Sequence, residues 1–131
     1  MKWSDQYATG NQQVDDQHKM IFKMAEDYRA ALDEGMGERV YGDMLRSLDV
    51  YVRTHFGYEE KCMDKYACPV ADGNKKAHDR FVEVLAGFRQ RYAAGGFSPT
   101  DARELVDTLD AWLADHICRI DVRLKEYVEK S

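Results

Sequence analysis

At 131 residues the chain is long enough for one domain with a proper core and short for two, and its 33% charged and 44% hydrophobic residues with only two prolines suit long amphipathic helices better than strands. A formal net charge of −5 excludes the basic face that a nucleic-acid groove or an anionic membrane surface requires. No apolar run approaches the ~20 residues of a membrane span and MKWSDQYATG lacks a signal-peptide stretch, so an all-α, cytoplasmic protein, or the soluble domain of a larger one, is expected.

Residues 1–13 are read as an extended N-terminal arm whose Trp3 and Tyr7 fold back over a bundle end. A first helix is expected over 15–34, capped by Asp15 or Asp16 and broken by the glycines of EGMG; His18, Ile21, Phe22, Ala25, Tyr28 and Leu32 share one face. A second, over 38–66, carries Met44, Leu48, Val52, His55, Phe56, Glu59 and Met63 on its stripe before ACPVADG stops it. The third, over 71–94, aligns Asn74, His78, Phe81, Leu85 and Phe88, and Gly95 and Gly96 end it. Ser98 and Pro99 form a good cap and first turn for a fourth over 99–129, with Leu105, Leu109, Trp112, His116, Ile117 and Ile120 in line. Short connections between long helices favour antiparallel neighbours, and hence an up-down-up-down four-helix bundle in a single domain, 1–131. The cysteines Cys62, Cys68 and Cys118 form no CxxC pattern and are expected as thiols.

The four histidines each lie on the inward face of a different helix. At ~1.5 Å rise per residue, they and Glu59 fall in one layer about 10–15 Å deep. A single histidine on an apolar face is more often a hydrogen-bonded core residue than a ligand. Four, converging with a carboxylate that is costly to bury unpartnered, are poorly explained by chance. Nitrogen and oxygen donors without thiolate suit iron or manganese better than a structural zinc site. His55 and Glu59, at i and i+4, share a face. His116 and Asp121 are five apart, about 140° off a common face, so Asp121 needs its side-chain reach or a local π-type widening to arrive.

Trp3, VDDQH ending in His18, HFGYEE with His55 and Glu59, HDRF at His78, and WLADHICRID with His116 and Asp121 together resemble the hemerythrins, specifically the bacterial single-domain form. The resemblance covers nearly the whole chain. It implies a non-haem centre of two Fe ions, bridged by both carboxylates and an oxo or hydroxo group, with His18, His55, Glu59, His78, His116 and Asp121 as ligands. It implies further that the iron held by His18 and His55 keeps an open position where O₂ binds, with Phe22, Trp112 and Ile117 forming a dry pocket; plain core packing is an equally compatible reading of those three.

Asn74 departs from the family's His-x3-His pattern on the third helix. Direct ligation by the shorter amide is expected to need an inward shift of the helix start, which favours a water bridging Asn74 to the iron; a capping role near the helix start is the alternative. Oxygen binding, for sensing, storage or delivery, is the expected function, with O₂ as partner, no catalytic residues, a monomeric state, and fusion to or cooperation with a signalling or oxygen-using partner. The alternatives are a di-iron redox enzyme acting on O₂, peroxide or nitric oxide, a partly metallated centre that no longer binds O₂ reversibly, and a purely structural bundle.

Overall fold

Apolar residues repeating at three and four positions wind the chain into four long helices, of which the computed structural model describes residues 3–69 and 71–117. They are α1 (Gln12–Asp33), α2 (Gly37–Lys65), α3 (Ala71–Gly95) and α4 (Pro99–Trp112). Leu113–Ile117 continues α4 as a π-helical turn. The helices form an all-α four-helix bundle in which α1 packs against α2 and α4, and α2 against α3. Among the described residues none is long and apolar enough to cross a membrane.

The helix ends follow from local chemistry. α1 begins three residues before Asp15, because the Asn11 side chain accepts from the Val14 amide at 3.0 Å and does the capping expected of Asp15. Asp15 instead ties down the buried Thr9, accepting from its amide at 2.7 Å and its hydroxyl at 2.8 Å. The arm is accordingly not extended throughout: Asp5–Tyr7 form one 3₁₀ turn, and Tyr7 stacks on Phe22 with centroids 5.9 Å apart. α2 ends in a left-handed residue, Ala67 at φ +50°, with the Cys68 amide bonded to the Met63 carbonyl and the Ala67 amide to that of Asp64. This tight reversal starts α3 at Ala71 and leaves Asn74 and His78 in its first two turns. Ser98 caps α4 as expected, its hydroxyl accepting from the Asp101 amide at 3.2 Å, with Pro99 at the first helical position.

The main core, including Ile21, Phe22, Leu45, Leu48, Val52, Leu85, Leu105 and Leu109, is one continuous buried cluster. Tyr41 is buried within it at 1% exposure. Burial, with a smaller contribution from Asp101, pushes the Tyr41 hydroxyl from 10.0 up to about 12. The unfolded chain therefore releases this proton first. Stability is expected to be intact below pH 10, where neither state ionises, and to fall as the pH rises toward 12; denaturant titrations at stepped pH, wild type against Tyr41→Phe, check this.

Candidate metal centre

At the polar layer four helical segments each aim a histidine inward: His18 from α1, His55 from α2, His78 from α3 and His116 from the π-helical turn. All four, with Glu59 and Asn74, are at most 2% exposed. Glu59 sits one turn beyond His55 on the same face of α2 and is fully buried. Its two oxygens face different partners. His18 Nε2 lies 2.8 Å and His55 Nε2 3.3 Å from Oε2. His78 Nε2 lies 3.1 Å and His116 Nε2 4.0 Å from Oε1. The Nε2 atoms of His78 and His116 are 3.1 Å apart. Two donor clusters, His18–His55–Glu59 and Glu59–His78–His116, thus share one carboxylate, and within each the donor atoms lie within 4.8 Å of one another.

Burial by itself would push the Glu59 carboxyl up, but hydrogen bonds from the His18, His55 and His78 rings outweigh it and hold the group well below the usual carboxylate range. Two contacts behind the rings set how the imidazoles are presented. His55 Nδ1 donates to Gln17 Oε1 at 2.7 Å, and His78 Nδ1 donates to Glu60 Oε2 at 3.1 Å. A neutral ring that donates from Nδ1 turns its Nε2 lone pair toward Glu59. A divalent cation taking the place of the ring proton would accept that lone pair and one Glu59 oxygen together, and the two clusters of two imidazoles and one carboxylate oxygen fit such an ion.

Aromatic rings close the layer. Phe56 stacks on His78 with centroids 3.8 Å apart, Trp112 on His116 at 4.6 Å, and Phe81 on Trp112 at 4.7 Å. Trp112 therefore packs in the His78 and His116 half, whereas the pocket expected from the sequence placed it beside the ion held by His18 and His55. The reason is local: four residues before His116, it lies one turn away on the same face. Phe22 lies one turn beyond His18, within the main core.

The structure brings together five of the six expected ligands; Asp121 and the side chain of Ile117 lie outside the described residues, as does Cys118. α4 passes into a π-helical turn at Leu113–Ile117, which carries His116; the segment from there to Asp121, where side-chain reach or a widened turn is expected, lies outside the described residues. Asn74 lies inside the first turn of α3 and not at its cap, and its Nδ2 donates to Glu59 Oε1 at 3.1 Å. Gln17 and Glu60 escaped the reading of inward stripes because each lies one position off its stripe. Their adjacency to His18 and Glu59 was the available signal: a residue about 100° round the helix from a ligand can reach the back of a neighbouring helix's histidine.

The family model described as the hemerythrin HHE cation binding domain matches residues 9–128. A bacteriohemerythrin of Pseudomonas aeruginosa is 30% identical over 129 residues, covering 98% of this chain and 82% of the relative. One of Methylococcus capsulatus is 31% identical over 125 residues, covering 92% and 91% respectively. A crystal structure of wild-type hemerythrin superposes with a TM-score of 0.80 at 29% identity, covering 98% of this chain and 97% of the other.

Proposed function

The chain belongs to the hemerythrin family, and on that premise we propose that it is a non-haem di-iron protein that binds O₂. One observation carries the reading: the two oxygens of the buried Glu59 each face a separate pair of imidazoles, as a carboxylate bridging two cations requires. His18, His55 and Glu59 Oε2 would hold one ion, and Glu59 Oε1, His78 and His116 the other. Asp121, five residues beyond His116, is proposed as the second bridge. The irons, when bound, supply the electrons that O₂ draws on.

The protein's own part is to place the donors and keep water away from them. Gln17 and Glu60 lock His55 and His78 with Nε2 inward, and the rings of Phe56, Phe81 and Trp112 pack beside His78 and His116. The first half has two imidazoles and a shared carboxylate, which leaves a position for the ligand. Anaerobic, reduced, iron-loaded protein is expected to take up O₂ with a change in its visible spectrum and to release it under argon. Irreversible oxidation in the first cycle, or no spectral change, would overturn the reading.

The backing carboxylate gives a further expectation. Outer-shell partners of ligating histidines typically contribute 10–100-fold to metal affinity, so Glu60→Gln is expected to weaken the His78 and His116 position by about that factor and spare the other. Competition against a chromophoric chelator measures both steps.

A further inference from the structure

Building on the two-ion reading, we propose that Asn74 is a direct oxygen ligand of the ion at the His78 and His116 position. The side chain is fully buried and its terminal nitrogen already lies 3.1 Å from Glu59 Oε1. That same oxygen is 3.1 Å from His78 Nε2, which is in turn 3.1 Å from His116 Nε2. Donors bound at roughly 2.1 Å to one six-coordinate ion lie about 3 Å apart when adjacent and about 4 Å apart when opposite. The three short separations match adjacent positions, and the 4.0 Å between His116 Nε2 and Glu59 Oε1 matches opposite ones. The end of Asn74 thus lies at the spacing from Glu59 Oε1 that a neighbouring ligand of that ion would have.

The chemistry of the amide decides which atom binds. Facing a carboxylate, Asn74 must present Nδ2, which donates; facing a cation, it must present Oδ1, because only the oxygen has lone pairs to give. In the structure Oδ1 is buried and accepts no hydrogen bond among the described residues. Rotation about χ2, a broad torsion in asparagine, therefore gives up one hydrogen bond to Glu59 and brings the oxygen onto the ion. No other acceptor contact is lost. Asn74 then closes the second half with a neutral, hard donor, and the open position stays with the ion held by His18 and His55.

The test is equilibrium binding of Co²⁺ to the metal-free full chain under anaerobic conditions, followed by calorimetry and by the visible spectrum, which reports coordination number. Wild type is expected to bind two ions in two resolvable steps. Asn74→Ala is expected to weaken one step about 10-fold or more and alter its spectrum, and Asn74→Asp to tighten the same step about 10-fold, the other step holding in both. Wild-type affinities and spectrum in Asn74→Ala would overturn the proposal and place solvent on the ion instead. Should that variant fail to fold, Asn74→Asp decides alone, and unchanged binding overturns the proposal. A wild-type chain that binds fewer than two Co²⁺ fails in a different way, since it removes the two-ion centre on which the ligand depends.

Discussion

Replacing Glu59 with alanine is expected to leave the protein without metal at either position. The two donor clusters share this side chain, one through each oxygen, so its loss takes a donor from both at once. It also removes the negative charge that offsets two buried cations, and each half is left with neutral imidazoles in a dry layer. Losing a shared anionic ligand should exceed the 10–100-fold effect typical of an outer-shell change, so affinity at both positions is expected to fall by more than about 100-fold. Elemental analysis of protein purified from iron-supplemented growth should give about two irons per chain for wild type and close to none for Glu59→Ala. The helices should persist, because the apolar core that includes Leu45, Leu48, Leu85 and Leu105 is left intact, and circular dichroism checks that. A Glu59→Ala protein that kept two irons would show that the carboxylate is not the bridge.

Chelation of the wild-type protein is expected to lower its melting temperature by about 10–30 °C. An ion that binds only the folded chain at a thousand times its dissociation constant stabilises it by ~4 kcal/mol. In a domain of this size 1 kcal/mol moves the midpoint by roughly 2–8 °C. The cause is also mechanical. The histidines come from α1, α2, α3 and the π-helical turn, so the ions cross-link every part of the bundle, while without them Glu59 is held by hydrogen bonds with the rings and with Asn74. Calorimetric scans before and after chelation, with iron restored as the control, measure the difference. A purely structural bundle would melt at the same temperature in both.

Much of this centre was visible before any coordinates. The 3.6-residue period and the alignment of His18, His55, Glu59, His78 and His116 on inward stripes are local properties, and four helices carry them, the fourth described as far as Ile117. Angular arithmetic on His116 and Asp121 asked for side-chain reach or a widened turn between them, a stretch that lies outside the described residues; the π-helical turn at Leu113–Ile117 ends just after His116. The cap at Ser98 was equally plain, because a cap involves only neighbours in sequence. At the start of α1 two capping chemistries competed, and Asn11 did the capping because Asp15 was engaged by Thr9.

What the sequence determined by itself is the list of polar groups delivered to one layer: four imidazoles, a carboxylate and an amide, each assigned to a face by helix geometry. Tertiary structure alone decided how they share that layer. Which oxygen of Glu59 faces which pair of rings, that Glu60 and Gln17 back His78 and His55, that Trp112 covers His116, and that the short amide of Asn74 reaches Glu59 all depend on the axial offset and rotation of one helix against another. Those offsets are set by how side chains such as Leu48, Phe81 and Leu109 interlock across the core, a property of the packed whole that no single helix's periodicity encodes.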